Sequence, residues 1–298
     1  MEPKFPDKVN LGFWPTPIEP LERLSKYLGG PELWIKRDDQ SGLATGGNKT
    51  RKLEFLVADA VAHGADHLVT TGAPQSNHAR QTAAAAARLG LGCSLVLRGP
   101  KPDTFTGNLL LDELLGAHVY WSDTRDCTES IGRVMAELRA IGRHPYLIPL
   151  GGSNVIGATG YVLAMQELME QISAAHLNFD FIVFASSSGG TQAGVALGAR
   201  AFGYRGSVLG ISVDHPADSL KTQVAALATA TATHLGLDAL SVAEMVNVND
   251  DYLGDGYAQV GETEREAIKI MAQVEGILLD PVYTGRAFGG LIDLIRWG

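Results

Sequence analysis

Residues 181–192 read FIVFASSSGGTQ, and this stretch decides the fold because it joins an apolar strand directly to a helix. The five apolar residues 181–185 predict a buried strand, and a helix is predicted to follow from Ala193. The small residues between them let main-chain N–H groups converge at a helix N-terminus, which favours an anion such as a phosphate. The loop has neither the lysine of a P-loop nor a GxGxxG pattern, so no nucleotide is implied. A tight turn that uses glycine only for packing is the alternative.

The same alternation of strand and helix continues on both sides of this stretch. The predicted strands are 33–37, 67–71, 93–97, 118–121, 146–149, 181–185 and 207–213, and the predicted helices are 18–28, 53–63, 79–89, 108–115, 129–141, 161–174, 193–202 and 220–235. Strands that alternate with helices of this length predict βαβ units, parallel sheets and the α/β class. A glycine-rich break at 151–154 predicts a domain boundary near residue 150.

Composition excludes several classes of function. The 298 residues are 45% hydrophobic and 19% charged, with a net charge of -9, which argues against nucleic-acid and anionic-membrane partners. Cys93 and Cys127 are too few for a disulfide framework, and no Cys/His cluster has the spacing of a metal site. The N-terminal residues lack the apolar core of a signal peptide, and no apolar run reaches transmembrane length. These features predict a cytoplasmic protein without a bound metal.

A second glycine-rich stretch, GGNKTRK at residues 46–52, places three cations within four residues at the start of an apolar helical run. A lysine at the mouth of a helix, beside other cations and partly desolvated, has a lowered pKa and becomes a nucleophilic amine. Lys49, directly after the glycine hinge, is the candidate. A solvated basic helix start is the alternative that so short a motif leaves open.

Two further loops carry polar side chains at the ends of apolar runs. The loop 75–78 follows the predicted strand 67–71 at its C-terminal end, where α/β sheets bind ligands. Ser76 and Asn77 offer hydrogen bonds there, although both are also common helix caps. In the loop 280–285, Tyr283 is suited to stack on an aromatic ring or to transfer a proton, with a buried structural tyrosine as the alternative. Tyr257 is a weaker candidate of the same kind.

A lysine nucleophile, a phosphate cradle and a ring-stacking tyrosine together fit one cofactor. Pyridoxal 5'-phosphate needs an amine that forms an imine, an anion site for its phosphate and protein groups that position its ring. The sequence therefore predicts this cofactor.

Four segments, GGNKTRK, TTGAPQSNHARQTAAAAARLG, SSSGGTQAG and DPVYTGRAFGG, resemble in order the pyridoxal-phosphate enzymes that include D-cysteine desulfhydrase and 1-aminocyclopropane-1-carboxylate (ACC) deaminase. The resemblance implies the fold-type II architecture of the tryptophan synthase β family, with two domains that are each an open, mostly parallel sheet flanked by helices. It implies a small domain over residues 52–156 and a large cofactor-binding domain over 1–51 and 157–298. It also implies a homodimer.

The resemblance also implies roles for individual residues. Lys49 matches the lysine that forms the imine and moves the α-proton of the substrate. Ser76 matches the active-site serine, and Asn77 matches the residue that bonds the ring hydroxyl of the cofactor. Tyr257 and Tyr283 match the two active-site tyrosines. The phosphate loop is matched by Ser188, Gly189, Gly190, Thr191 and Gln192, with Thr191 as the expected side-chain ligand.

Position 284 separates activities within the family that the sequence resembles. ACC deaminases resemble one another in carrying a glutamate there, near the pyridine nitrogen, whereas Thr284 is as in the D-cysteine desulfhydrases. A hydroxyl stabilises a protonated ring nitrogen much less than a carboxylate does, and loss of a thiolate needs less carbanion stabilisation than opening a cyclopropane ring. Thr284 therefore favours elimination on a small amino acid, with D-cysteine as the expected substrate and pyruvate, hydrogen sulfide and ammonia as products.

Three alternatives stay open at this point: ACC deaminase activity, elimination of sulfite from L-cysteate, and a catalytically silent protein that binds a phosphorylated small molecule. The resemblance further implies a strand and a glycine-rich segment after residues 289–296 that bear another cofactor contact. The sequence given ends at Gly298. The full set of groups around the ring nitrogen is thus left open by the sequence.

Overall fold

The computed structural model describes residues 2–124, 126–237 and 242–297. The chain divides into two compact units. The Lys49 unit contains Phe5–Thr16 and Asp38–Gly160, and the Tyr283 unit contains Met1–Lys4, Pro17–Arg37 and Tyr161–Gly298. The predicted domain limits, 52–156 against 1–51 and 157–298, stay a prediction.

The regular elements alternate along most of the chain. The strands are β1 (Ile18–Pro20), β2 (Trp34–Lys36), β3 (His67–Gly72), β4 (Gly92–Arg98), β5 (His118–Ser122), β6 (Pro145–Leu147), β7 (Phe181–Ser186), β8 (Ser207–Ser212) and β9 (Asn247–Asn249). The helices are α1 (Glu22–Leu28), α2 (Lys49–Ala62), α3 (Asn77–Leu89), α4 (Gly107–Leu114), α5 (Thr128–Ala140), α6 (Val155–Ala174), α7 (Gly190–Ala201), α8 (Ala217–His234), α9 (Glu262–Glu275) and α10 (Thr284–Trp297). Short 3-10 turns occupy Asp38–Gln40, Leu150–Gly152 and Ala243–Met245.

The Lys49 unit is built on a four-stranded sheet in the order β5-β4-β3-β6, in which every pair is parallel. The central strands are apolar and closed to solvent, and the alanine-rich face of α3 packs on them because its small side chains permit close approach. Leu53, Leu56 and Val57 of α2 complete the same core. The loops that end β3 and begin α2 and α3 are therefore held by a rigid scaffold.

The Tyr283 unit carries a three-stranded parallel sheet in the order β7-β8-β9. One core joins α6, α7 and the sheet, and includes Met165, Val195 and Val208. A second core joins α1, α9 and α10, and includes Leu24, Met271 and Phe288. The parallel sheets flanked by helices confirm the predicted α/β class.

The structure corrects several predicted elements. Residues 18–20 were expected in a helix but form β1, which pairs antiparallel with β2 through Ile18 and Lys36. Helix α2 begins at Lys49 rather than at residue 53, and α6 begins at residue 155 rather than at 161. Strand β9 and helix α9 were not predicted.

No helix within the described ranges is long and apolar enough to cross a bilayer. Across the same residues, no group of three or more His, Cys, Asp or Glu side chains is arranged to hold a metal ion.

Candidate active site

The loop before Lys49 follows an unusual main-chain path. Residues 44–47 all have positive φ, and Gly46 and Gly47 reach +72° and +125°. A Cβ atom at Gly46 would lie 1.8 Å from the carbonyl oxygen of Asp39, so no other residue fits there without moving the main chain. Lys49 follows as the first residue of α2 and is half-buried. The double glycine therefore fixes the position of Lys49 at the start of α2.

A network of uncharged side chains anchors the start of α2. Gln81 Oε1 accepts hydrogen bonds from the main-chain N and from Oγ1 of Thr50, both at 2.9 Å. Ser41 Oγ lies 3.0 Å from Thr50 Oγ1 and also donates to the carbonyl of Gly47 at 3.0 Å. Both Thr50 and Ser41 are fully buried. These contacts hold the main chain on either side of Lys49.

The two cations after Lys49 have different surroundings. Arg51 donates to both carboxylate oxygens of Asp38, at 2.9 and 2.8 Å, and its guanidinium lies 4.1 Å from the ring centroid of Trp14. Lys52 is completely buried, and its Nζ donates to the carbonyl of Gly151 at 3.1 Å. Arg51 is thus neutralised by its partner, whereas the Lys52 ammonium donates to a carbonyl and to Oγ of Ser153, and no carboxylate among the described residues pairs with it.

Lys52 and His78 are two buried bases that are coupled to the charge of Lys49. Burial, and then the charge of Lys49, hold the pKa of Lys52 well below its usual range. Burial, followed by the charges of Lys49 and Lys52, holds the pKa of His78 well below its usual range. The three bases therefore compete for protons at the start of α2, and His78 is neutral at neutral pH.

Ser76 and Asn77 stand where β3 gives way to α3. Ser76 is the N-cap of α3, and its Oγ accepts from the N–H of Ala79 at 3.1 Å. Asn77 Oδ1 accepts from Nδ2 of Asn108 at 2.8 Å and from Nη1 of Arg80 at 3.4 Å. Since the carbonyl oxygen of Asn77 is used inside the protein, its NH2 group is the end that can donate to a ligand. This orientation agrees with the role expected for Asn77.

The loop between β7 and α7 has the form expected of an anion site. Gly189 is the N-cap of α7 with φ of +79°, and the helix that follows has 12 residues. The first N–H groups of an α-helix have no acceptor within the helix, so those of Gly190, Thr191 and Gln192 face outward from its start. Ser186 Oγ, at the end of β7, is buried without a hydrogen-bond partner among the described residues.

Gln192 differs from the rest of this loop because its side chain is completely buried. The amide group of Gln192 lies against Gly210, where a Cβ atom would be only 2.4 Å from Gln192 Oε1. Its Nε2 donates to the carbonyl of Asn247 at 2.7 Å. On the outer side, Nε2 of Gln223 donates to the carbonyl of Ser188 at 3.2 Å. The amide of Gln192 therefore ties α7 to β9, and only its main-chain N–H is available to an anion.

A pair of tyrosines lies in the Tyr283 unit. The rings of Tyr257 and Tyr283 meet edge to face, with centroids 6.2 Å apart, and their hydroxyl oxygens are within hydrogen-bond distance. Burial, and then Tyr257 and Asp280, raise the pKa of Tyr283 above its usual range, with Asp214 as a further cause. The hydroxyl of Tyr283 is therefore protonated at neutral pH, which suits a proton donor or relay rather than a phenolate.

Thr284 has a local role that the sequence did not indicate. Its Oγ1 accepts from the N–H of Asp280 and donates to Asp280 Oδ1, both at 2.8 Å. Asp280 also accepts the main-chain N–H groups of Val282 and Tyr283 at 3.0 and 2.9 Å. Asp280 and Thr284 thus cap the start of α10 and fix the main chain of Tyr283.

The family model described as "Pyridoxal-phosphate dependent enzyme" matches residues 9–297. The chain belongs to this family. Its cofactor is pyridoxal 5'-phosphate, as the sequence predicted.

Individual relatives refine this placement. A D-cysteine desulfhydrase of Klebsiella pneumoniae (strain 342) is 45% identical over 285 residues, which cover 94% of this chain and 85% of that protein. A D-cysteine desulfhydrase of Yersinia pestis (strain Pestoides F) is 45% identical over 288 residues, with 94% and 86% covered. The crystal structure of an ACC deaminase homologue has a TM-score of 0.90 at 39% identity and covers 98% of this chain and 88% of that chain. Maize serine racemase, with a TM-score of 0.67 at 21% identity over 95% of this chain and 83% of that chain, shares the fold. The resemblance and the fold-type II architecture are confirmed.

The chemistry of the described residues fits each part of the cofactor. An amine begins α2, and α7 begins shortly after β7, at whose end the hydroxyl of Ser186 is buried without a hydrogen-bond partner among the described residues. Asn77 presents an NH2 donor. These features match an aldehyde, a phosphate and a ring oxygen, respectively.

Sequence reasoning missed several residues that shape these loops. Asp214 accepts a hydrogen bond from Ser187 Oγ at 2.8 Å and is one of the groups that raise the pKa of Tyr283. Asn108 orients Asn77, and Lys52 and His78 act on the charge of Lys49. Only Lys52 carried a signal, since it stands three residues after Lys49 and therefore on the same side of the helix.

Proposed function

We propose that this enzyme is a carbon–sulfur lyase that converts D-cysteine and water to pyruvate, hydrogen sulfide and ammonia. The observation that carries the proposal is the 45% identity to two D-cysteine desulfhydrases over 94% of the chain. The place of Lys49 at the start of α2 and the neutral side chain at position 284 support it.

Bound pyridoxal phosphate supplies an electron sink that lowers the cost of carbanion formation at the α-carbon. In the proposal, Lys49 Nζ holds the cofactor in the resting enzyme and carries the α-proton of the substrate during elimination. The released amine acts as a general base in its unprotonated form. The main-chain N–H groups at the start of α7, with Thr191 and Ser188, hold the phosphate, and Asn77 donates to the ring oxygen.

The proposal gives Ser76 and the tyrosine pair the handling of substrate. Ser76 Oγ orients the substrate carboxylate or assists proton transfer, as the resemblance implies. Tyr283, protonated at neutral pH, packs beside the ring and donates a proton to the departing sulfur, with Tyr257 bonded behind it. Proton donation to a thiolate favours its departure as hydrogen sulfide.

One structure relative favours a second candidate. The similarity to an ACC deaminase homologue keeps opening of the cyclopropane ring of ACC as the alternative activity. Strong stabilisation of a protonated ring nitrogen would require a carboxylate at position 284. This chain has a hydroxyl there, which donates to Asp280. D-Cysteine is therefore the favoured substrate.

The test is turnover by the purified protein loaded with pyridoxal phosphate, with D-cysteine, L-cysteine, ACC and L-cysteate offered separately. Sulfide and pyruvate from D-cysteine are expected, and Lys49→Ala should abolish both as well as the visible absorption of the lysine-bound cofactor. Formation of 2-oxobutyrate from ACC, or of sulfite from L-cysteate, in place of sulfide would replace the proposed reaction. Binding of the cofactor without turnover of any of the four would favour a silent phospholigand-binding protein.

Two expectations accompany this function, a homodimer and a cytoplasmic location. Sedimentation equilibrium of the loaded enzyme tests the first, and fractionation of the source cells tests the second.

A further inference from the structure

Arg286, in the first turns of α10, is a buried cation at the centre of five hydrogen bonds. Its side chain is 1% exposed. Nε donates to Glu264 Oε1 at 2.6 Å, and Nη1 and Nη2 together donate to four main-chain carbonyls. A guanidinium presents five donors in a fixed planar fork, so few other side chains could serve this set.

Three of the four carbonyls belong to one loop. They are those of Leu253, Gly256 and Gln259, at 2.8, 3.1 and 2.8 Å from the guanidinium nitrogens. The loop has no regular secondary structure between β9 and α9, and Tyr257 lies within it. Arg286 therefore supplies to this loop the hydrogen bonds that a helix or a sheet would otherwise supply.

The main chain on both sides of Tyr257 needs such support. Gly256 has φ of +114° and Ala258 has φ of +61°, so Tyr257 stands between two left-handed residues, one of which carries a Cβ. A left-handed conformation is unfavourable for a residue other than glycine, because its Cβ then crowds the main chain. The carbonyl just before Tyr257 and that of Gln259, two residues after it, are both bound by Arg286.

The same arginine also fixes the end of β8 and the start of α9. Nη1 donates to the carbonyl of Val213 at 2.8 Å, directly before Asp214. Glu264, bonded to Nε, also accepts the N–H of Gly261 at 2.8 Å, where α9 begins. Burial opposes ionisation of Glu264, but the hydrogen bonds from Arg286 and Gly261 outweigh it and lower the pKa of that carboxyl. The arginine is thus charge-paired as well as hydrogen-bonded.

From this geometry we infer that Arg286 is a positioning residue for the reaction, which holds the hydroxyl of Tyr257 against that of Tyr283 by fixing the loop 253–259. It acts through Tyr257 and touches neither hydroxyl. The inference rests on the proposed function for its kinetic consequence, but not for its structural one.

The kinetic test is a double-mutant cycle on the loaded enzyme with D-cysteine. Arg286→Lys keeps the charge but loses the fork, and we expect kcat to fall about 10- to 100-fold with a smaller change in KM, because loss of alignment costs that much. Tyr257→Phe should lower kcat by about 100-fold or more. If Arg286 acts through Tyr257, the double variant should be within about 2-fold of Tyr257→Phe alone. Multiplicative losses would overturn the inference.

A matched control lies on the same helix. Arg296 also pairs with a glutamate of α9, Glu266, at 2.8 Å, but it is 44% exposed and binds no carbonyl of the loop. Arg296→Lys should therefore leave kcat and KM unchanged. If it lowers kcat as much as Arg286→Lys does, the effect belongs to α10 in general and not to the loop.

Hydrogen exchange provides a second readout that needs neither turnover nor D-cysteine. In Arg286→Lys, amides of residues 253–261 should exchange at least 10-fold faster, while those of β7 keep the wild-type rate, because the carbonyls of the loop have lost the guanidinium donors that hold them and the loop opens more often. Unchanged exchange in 253–261 would refute the structural part of the inference. If Arg286→Lys does not fold, Glu264→Gln takes its place in both measurements; it removes the charge behind Nε and one of the two oxygens that accept from Arg286 and Gly261. A wild-type enzyme inactive on D-cysteine would remove the proposed function, but the exchange result would still decide the inference.

Discussion

The hydroxyl oxygens of Tyr257 and Tyr283 lie 2.8 Å apart, and neither belongs to a regular strand or helix. One hydroxyl donates its proton to the oxygen of the other. The accepting hydroxyl can therefore still donate its own proton to a third group. Tyr283 is held in its protonated form by burial and by three neighbours, of which Tyr257 is the first. The pair is therefore a short relay whose protonation depends on both members.

Removal of the Tyr257 hydroxyl should make Tyr283 easier to ionise. Its hydrogen bond and its charge both raise the pKa of Tyr283, so Tyr257→Phe should lower that pKa, although burial keeps it above the usual range. The ionisation of Tyr283 alone is the difference between ultraviolet absorbance titrations of Tyr257→Phe and of the Tyr257→Phe/Tyr283→Phe double variant. The same difference between wild type and Tyr283→Phe gives the reference. A shift to higher pH would contradict the relay.

Lys52 should make stability depend on pH in the alkaline range. Its folded-state pKa is lowered, mainly by burial, so folding is disfavoured wherever the unfolded chain binds this proton and the folded chain does not. This penalty grows as pH falls below about 10.4, by up to about 1.4 kcal/mol per pH unit, and levels off below the folded-state pKa. Lys52→Met removes this penalty together with the hydrogen bond to Gly151. The stability of the variant relative to wild type should therefore increase as pH falls from about 10 to 7.

Urea unfolding at a series of pH values measures this difference. Lys101→Met, at an exposed lysine, controls for the loss of one cation. A difference between Lys52→Met and wild type that is constant with pH would mean that Lys52 stays charged in the folded protein.

Asp112 should lower the stability of the folded protein as pH rises toward neutrality. This carboxyl, in α4, is completely buried without a hydrogen-bond partner among the described residues, and burial raises its pKa to about 7 although Arg80 opposes the shift. A raised folded-state pKa gives stability that is complete below about pH 4 and is lost as pH rises through about 7. Between about pH 4.5 and 6.5, wild type should lose about 1.4 kcal/mol per pH unit relative to Asp112→Asn.

The measurement is again urea unfolding across pH, with Asp103→Asn at an exposed carboxyl as the matched control. Equal pH slopes for wild type and Asp112→Asn would show that Asp112 is ionised in the folded state. Helix α4 also carries Asn108, which donates to Asn77. Cofactor binding measured on the same samples therefore reports whether ionisation of Asp112 disturbs Asn77.

Gly46→Ala should disable the loop that presents Lys49. The substitution meets both a φ of +72° and an Asp39 oxygen 1.8 Å from the new Cβ, so the main chain before Lys49 must move. Gly64→Ala is the control, because its φ is +73° and no atom lies within 4 Å of the new Cβ. The control should lose about 1 kcal/mol of stability and keep the lysine-bound cofactor absorption. Gly46→Ala should lose several-fold more stability or most of that absorption, and equal behaviour of the two variants would contradict the steric argument.

The sequence predicts the sheets well where burial dominates. Strands β4 and β7 contain the apolar runs 95–97 and 181–185, which the sequence pattern detects. The full burial expected of 181–185 is not observed, since Phe181 at the start of β7 is 63% exposed. Strand β9, which has asparagine at both ends, carries no such signal, since its place depends on pairing with β8. Residues 18–20 were misassigned because a short strand that includes Pro20 is specified by its partner β2 and not by its own propensity.

The candidate site is predictable to the extent that its residues stand in glycine-rich loops. Lys49 and the loop 186–192 could be proposed from the sequence because a chain reversal next to a helix start has a sequence signature. Arg286 and Asp214 were not, because their importance comes from carbonyls and hydroxyls far away in sequence. A single arginine within an apolar helix pattern looks like a surface residue until its acceptors are known.

The passage of Gln192 across Gly210 has a thermodynamic consequence for the cofactor. With Gln192 tied to β9 and Ser188 held by Gln223, the loop proposed to hold the phosphate is ordered as part of folding, so binding there would incur little additional loss of loop entropy. Most of the favourable energy of the proposed phosphate contacts would then appear as affinity. On this proposal, pyridoxal lacking the phosphate, although it carries the same reactive aldehyde, would be left with the ring contacts and the lysine alone, so retention of the cofactor between turnovers would depend on the one group that takes no part in the chemistry.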